Sequence, residues 1–379
     1  MSLRETLQRH VDDGTLPGAV AIVDRAGRPE VVAVGSAGGE GTKPMAEDTL
    51  FRFASITKPI TAAATLALVD DGRLALADPI ARWLPELADP RVVRTPASPV
   101  GDVVPAKRPI TVFDLLTSQA GWGFASDFTL PAVQALFPVQ RDGREVQSFP
   151  GPDVWLAQLA EVPLAYQPGE AWLYDTCSTL QGVLVARASG QPLPEFLEER
   201  IFAPLGMADA GFVVGPDRRD RFTTLFKDTP DGLVLADPPD GQWSTMPALP
   251  LGNGGLAGTA GDWAAFGRML LAGGAAADGR RGLSPEAVRL MTTDHTTAAQ
   301  REIGALFLDG QGWGMGGSVD IAATEPWTVP GRYGWVGGTG TTAYVVPATG
   351  TVAVLLTQVG ADQPVPPRWM REFWRAAAA

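Results

Sequence analysis

Residues 53–59 read Phe53-Ala54-Ser55-Ile56-Thr57-Lys58-Pro59, and an Ala- and Leu-rich run from Ile60 to Val69 carries them into an apolar helix that Gly72 ends. Serine and lysine three residues apart share one face of a helix, which brings a hydroxyl and an ammonium together. The helix N-terminus adds a favourable dipole and free backbone N–H groups beside any oxyanion. A hydroxyl is a poor nucleophile until a neighbouring base takes its proton. Lysine serves as that base when burial or a nearby positive charge brings its pKa from about 10.4 toward neutrality. Of the four lysines, Lys43, Lys58, Lys107 and Lys227, only Lys58 has a serine three residues earlier. The ordinary alternative is a surface lysine after a helix cap, so the pair gains weight only from agreement elsewhere.

Two other stretches agree with it. Pro168-Gly169-Glu170-Ala171-Trp172-Leu173-Tyr174 sets a tyrosine just before a helix that is expected to begin near Thr176. A phenol beside a lysine cation can carry protons between nucleophile and leaving group. A buried core tyrosine would read the same way, and Tyr166 has no comparable context. Gly334-Trp335-Val336-Gly337-Gly338-Thr339-Gly340-Thr341 is a glycine-rich strand entry whose backbone can approach a substrate closely. Its N–H groups are candidates for an oxyanion hole, the alternative being a plain hairpin turn. Histidine is a poor candidate base: His10 falls in an opening helix, His295 at a helix end, and no serine sits in a G-x-S-x-G elbow.

Outward from these stretches, Ser2 to Asp13 has helical spacing, and Gly18–Val23 and Val31–Val34 read as a hairpin. Thr341–Val346 and Thr351–Thr357 are β-branched strands, and Trp369–Ala378 is a terminal helix. The middle reads as helices, at Ser55–Asp71, Thr111–Thr117, Ser178–Ala188, Pro194–Phe202 and Thr259–Leu271. The expected architecture is an antiparallel sheet with flanking helices, an α/β (α+β) sandwich built from residues 1–45 and 250–379, with a mainly helical insert over 46–249. Asp89–Pro109, Gly123–Pro152 and Val214–Pro250 resist assignment. Loops of that length are read as cleft walls, with Trp122, Phe124, Phe128, Phe137 and Trp243 as apolar lining, although packing against the loops explains these aromatics equally well.

Composition bounds the partners. With 379 residues, 45% hydrophobic and 19% charged, the chain is an ordinary globular protein with ample core. A net charge of −12 argues against a nucleic-acid partner. No run of 18 apolar residues is present, so no membrane span is expected. The opening residues lack the charged head and apolar core of a secretion signal, which points to the cytoplasm and leaves export through a removed leader open. Cys177, alone, reads as a small buried apolar residue and forms no disulfide. With no histidine cluster there is no case for a metal, and no cofactor is called for.

Together these elements resemble the serine β-lactamase and penicillin-binding protein superfamily, and within it the class C β-lactamase-like branch, closest to the family VIII carboxylesterases. The likeness also runs through Leu16-Pro17-Gly18-Ala19, Leu115-Leu116-Thr117, Pro204-Leu205-Gly206-Met207 and Gly254-Gly255-Leu256. It implies a β-lactamase/transpeptidase-like fold, an acyl-enzyme on Ser55, Lys58 and Tyr174 as base and then acid, and an oxyanion hole from the N–H groups of Ser55 and Gly338. Two departures bear on substrate. Thr176 stands where the family's tyrosine motif carries asparagine, and the chain's only asparagine is Asn253. Trp335 stands where β-lactamases carry a carboxylate-binding lysine, as in the esterase branch, and tryptophan supplies no positive charge. Trp335, Thr176, Gly337 and Trp122 are therefore the expected substrate contacts. The expected function is hydrolysis or acyl transfer of a small-molecule ester or amide. β-Lactamase or D-amino-acid peptidase activity is the alternative, and a non-catalytic binding protein on the same fold is a third reading.

Overall fold

The computed structural model describes residues 1–39, 42–361 and 363–379. Its first helix, α1 (Leu3–Asp12), opens on a capping box in which Ser2 Oγ accepts from the Glu5 N–H and the Glu5 carboxylate accepts from the Ser2 N–H. A hairpin follows, β1 (Gly18–Arg25) and β2 (Arg28–Gly35). Ala26 and Gly27 turn it, both at positive φ, as the two-residue turn that matches strand twist requires. Pro29 falls within β2, which is tolerable because β2 is an edge strand with one unpaired side.

The far end of the chain completes the sheet with β3 (Gly312–Trp313), β4 (Ser318–Val319), β5 (Tyr333–Gly337), β6 (Thr341–Val346) and β7 (Thr351–Thr357). The order is β2-β1-β7-β6-β5-β4-β3, antiparallel throughout. Side chains alternate cleanly between two cores. Val20 and Ile22 of β1 and Val352, Val354 and Leu356 of β7 face the main core, which also holds Trp263 and Phe266 of α4 (Ala260–Leu271). Ala19, Ala21, Val23, Ala353 and Leu355 face the other way, onto Leu3 and Leu7 of α1 and Trp369, Phe373 and Trp374 of the last helix, α5 (Arg368–Ala378). Helices thus cover both faces, and strands buried on both sides are apolar almost continuously.

The segment from Ser55 is a 3₁₀ turn, Ala54–Thr57, running into α2 (Lys58–Asp70), not one continuous α-helix. Helix α2 is buried all round and packs on α3 (Thr176–Ser189), where Gly182 lets the backbone at Gly252 come close. The stretches without a sequence assignment contain regular structure. Arg91–Val93 pairs with Val103–Pro105, Pro131–Gln140 is a helix that carries Pro138, and Leu225–Thr229 and Gly232–Asp237 form a hairpin extended by Val359–Gly360. Strands this short, and a helix containing proline, give little periodic signal. The expected helix at Pro194–Phe202 is an α-turn over Leu193–Leu197 followed by a wider π turn over Glu198–Phe202. Among the described residues no helix is long and apolar enough to cross a membrane.

One buried ion pair anchors the strand that leads into Ser55. Phe51–Arg52 pairs with Ala257–Gly258, and the Arg52 side chain is sealed from solvent. Its Nε lies 2.8 Å from an Asp237 carboxylate oxygen, while its Nη1 and Nη2 donate to the carbonyls of Thr223 and Pro238 at 2.6 and 3.0 Å. Burial brings the guanidinium down to about 10 against the pull of Asp237, so it stays charged at neutral pH. The ring of Phe222 lies 4.1 Å below it, with Trp243 at 5.3 Å, so Trp243 packs here and does not line a cleft. Removing the cation leaves an uncompensated buried carboxylate. Arg52→Met is therefore expected to lower unfolding stability by about 3–5 kcal/mol in denaturant titration, and Arg52→Met with Asp237→Leu to recover some of that loss. A single variant as stable as the parent would contradict this assignment.

Candidate active site

Three chain segments converge on Ser55. The 3₁₀ turn presents its side chain, and the preceding residue, Ala54, is forced to φ +47°. A non-glycine residue in that region is strained, and the neighbouring backbone holds it there. Thr341 Oγ1 donates to the Phe53 carbonyl at 2.8 Å and Thr339 Oγ1 to the Arg52 carbonyl at 2.7 Å, tying the turn to the β5–β6 connection. Gly337 is required by the same approach. A Cβ there would lie 2.6 Å from the Phe53 carbonyl oxygen and 2.1 Å from Thr341 Oγ1.

Lys58, one turn along, is fully buried, and its ammonium has three N–H donors and three acceptors. These are Ser55 Oγ, the Asn253 carbonyl and Asp175 Oδ1, each at 2.8 Å. Burial is the largest single influence and disfavours the charge, but Asp175 and Tyr174 outweigh it and hold the lysine above its ordinary value. The expectation of a lysine tuned toward neutrality is thereby corrected, because a carboxylate sits against it.

Tyr174 immediately precedes α3, and its Oη lies 2.8 Å from Ser55 Oγ. The Lys58 ammonium is 4.6 Å from the centre of its ring. Phe307 stacks on the phenol with centroids 4.7 Å apart, and the Trp335 indole N–H donates to Oη at 2.9 Å. Ser55, Lys58 and Tyr174 thus meet at one point.

An open cleft of about 750 Å³ lies over them, walled by Phe124, Phe128, Phe137, Phe307, Trp335, Gly337 and Gly338, with Arg141, Asp142 and Arg144 among its other lining residues. Gly338 has open space where a Cβ would sit, and its N–H makes no backbone hydrogen bond among the described residues. The Ser55 N–H lies in the first turn of its helix, where N–H groups lack intrahelical acceptors. Of the three unassigned stretches, only Gly123–Pro152 contributes to this wall.

The substrate contacts expected from sequence divide. Trp335 and Gly337 reach the cleft, Trp335 mainly as the partner of Tyr174. Trp122 is a core residue whose indole N–H donates to the Val162 carbonyl at 2.8 Å. Thr176 is the first residue of α3 and is fully buried, so it does not meet the cleft either. With Thr176 two residues after the tyrosine, the amide at the site is Asn253, which lines the cleft from the loop before Gly254-Gly255. His10 bonds Glu372 and His295 bonds the Leu290 carbonyl, each away from the cleft. Asp175 was not anticipated; an aspartate beside a turn gives no signal of its own. No group of side chains among the described residues could hold a metal ion.

The chain is similar over most of its length to known proteins. Protein Rv1367c of Mycobacterium tuberculosis is 39% identical over 356 residues, covering 92% of this chain and 87% of that protein. Esterase EstB of Burkholderia gladioli is 34% identical over 365 residues, covering 90% and 86%. The solved structure of EstCE1, a hydrolase with promiscuous acyltransferase activity, superposes with a TM-score of 0.83 at 24% identity over 100% of this chain and 97% of its own, a likeness of fold. The molecule is a serine hydrolase on an antiparallel-sheet α/β fold. It belongs to the Beta-lactamase family, whose pattern matches residues 3–373.

The two adjacent glycines make a paired test. Gly337→Ala is expected to cost about 1–3 kcal/mol in denaturant titration, as overpacking does, whereas Gly338→Ala leaves stability within about 0.5 kcal/mol. Equal effects at the two positions would contradict the close approach of residue 337 to the Ser55 turn.

Proposed function

We propose that the chain hydrolyses small neutral carboxylic esters, or transfers their acyl group, through an acyl-enzyme on Ser55. The observation that carries this reading is the position of Ser55 Oγ, 2.8 Å from both Lys58 Nζ and Tyr174 Oη, beneath an aromatic cleft. Ser55 Oγ bonds to the ester carbonyl carbon while its proton passes to the Lys58–Tyr174 pair. The carbonyl π electrons move onto oxygen, which the N–H groups of Ser55 and Gly338 receive. Collapse breaks the bond to the alcohol, and the departing alkoxide takes the proton back from the pair. Water, or an acceptor alcohol, repeats the sequence on the acyl-enzyme and restores Ser55.

Preference for neutral esters rests on the cleft wall. Trp335 stands at a position where a cation would pair with a substrate carboxylate, and its N–H is already given to Tyr174. The rim arginines are engaged as well, Arg141 with the Pro138 and Ser148 carbonyls and Arg144 with Asp142. Phe124, Phe128, Phe137 and Phe307 suit an apolar acyl or alcohol group. Similarity to an enzyme named as an esterase supports the same class.

A short-chain p-nitrophenyl ester is expected to be turned over, and Ser55→Ala to lower kcat at least about 10³-fold without loss of fold by circular dichroism. Retained turnover in that variant would sink the assignment. Nitrocefin, which carries a carboxylate, is expected to be hydrolysed at least about 100-fold less efficiently in kcat/KM than the ester, the order expected when a charge-assisted contact is missing. The reverse ranking would make the β-lactam the better substrate and overturn the ester preference.

A further inference from the structure

Asp175 occupies the N-cap position of α3, yet its carboxylate caps no helix N–H. Aspartate at an N-cap ordinarily accepts from the N–H groups two or three residues on. Here the backbone is turned to φ +84°, ψ −63°, and the Thr176 N–H reaches back to the Tyr174 carbonyl at 3.3 Å. Those angles and that bond define a γ-turn of the rare, strained kind, in a residue that is not glycine. The carboxylate is directed inward. Oδ1 lies 2.8 Å from Lys58 Nζ, and Oδ2 accepts from Asn253 Nδ2 at 2.8 Å and from Gln140 Nε2 at 2.9 Å. Gln140 is held in turn by Thr179 Oγ1 at 3.1 Å. A strained residue whose capping capacity is given up, and whose carboxylate two buried amides hold against the lysine, has been placed there for the lysine.

We propose that Asp175 is a positioning residue that pins the Lys58 ammonium onto Ser55 and holds its charge, so that the Lys58–Tyr174 pair meets the Ser55 hydroxyl in a fixed geometry during acyl transfer. This rests on the reading of Ser55 as nucleophile. In the step it supports, the Ser55 proton passes to the Lys58–Tyr174 pair as the Oγ–carbon bond forms, and from the pair to the leaving alkoxide as the carbon–oxygen bond breaks. The Lys58 cation lies 4.6 Å from the centre of the Tyr174 ring, and the Trp335 N–H donates to Tyr174 Oη at 2.9 Å.

The consequence is a pH dependence with a definite sign. An anion 2.8 Å from the ammonium disfavours loss of its proton. Removing it lets the pair lose that proton more readily, so the ascending limb of kcat/KM moves to lower pH. The titratable groups facing Lys58 are Ser55 on its own turn and Tyr174 and Asp175 ahead of α3. Cys177 lies in α3 near Asp175, and burial pushes its thiol up to about 12, which keeps it neutral. Arg141, Asp142 and Arg144 line the same cleft from the Gly123–Pro152 stretch.

The test compares pH profiles of ester hydrolysis for the parent, Asp175→Asn and Asp175→Gly, with Ser55→Ala as control. Glycine suits the positive φ, so Asp175→Gly is expected to fold with unchanged or higher thermal stability while lacking the carboxylate. Both variants are expected to shift the ascending limb of kcat/KM down by about one pH unit or more, with kcat at the optimum lowered about tenfold or more and KM within about threefold. An unmoved limb overturns the proposal even if activity falls, because a merely structural residue would do that. Failure of Asp175→Gly to fold overturns it too, since the carboxylate would then serve the fold. Should Ser55→Ala retain activity, the reading of the nucleophile fails instead. Should Ser55→Ala be inactive while both Asp175 variants match the parent, only the role of Asp175 fails.

Discussion

A buried ammonium with every N–H engaged is the constraint around which this site is organised. Lys58 is sealed inside the protein, where an unpaired charge would cost several kcal/mol. Its three acceptors come from its own turn, from the loop at Asn253 and from the entry to α3. Each segment must therefore reach one point. The sealed Arg52–Asp237 pair imposes a similar constraint nearby, holding the strand that leads into the Ser55 turn.

Meeting that constraint leaves strain on both sides of the cluster. Ala54 at φ +47° and Asp175 at φ +84° are non-glycine residues in sparsely populated conformations, one beside the serine and the other beside the tyrosine. Such conformations persist when their surroundings over-determine them. The surroundings here are the sheet through Thr339, Thr341 and Gly337, and the packed α2–α3 pair. A rigid frame of this sort is what keeps Lys58 Nζ and Tyr174 Oη each 2.8 Å from Ser55 Oγ before any substrate arrives.

Much of this was legible in the chain. Strands β6 and β7 and the terminal helices follow from unambiguous periodicity and clear turn residues, and the S-x-x-K pair, Tyr174 and the Gly337-Gly338 run mark the site in order. What escaped was tertiary. Asp175 and Asn253 lie far apart in sequence, and only the fold brings them to the same ammonium; nothing local to either signals it. The same gap hides what surrounds Lys58, whose ammonium pairs with that carboxylate. Aromatic residues in loops carry no direction, so Trp122 and Trp243 were as plausible as Phe124 and Phe137, although the first two lie in the core and the last two at the cleft. The hairpins at Arg91–Pro105 and Leu225–Asp237 were missed because their strands are too short to show alternation.

The central claim is that Ser55 is the residue that becomes acylated, and covalent trapping tests it most directly. The folded protein is treated with a fluorophosphonate, and intact mass is followed by peptide mapping. One adduct per chain is expected, on the peptide that contains Ser55, and it is lost when a p-nitrophenyl ester competes. Absence of an adduct, or an adduct on any other residue, would contradict it.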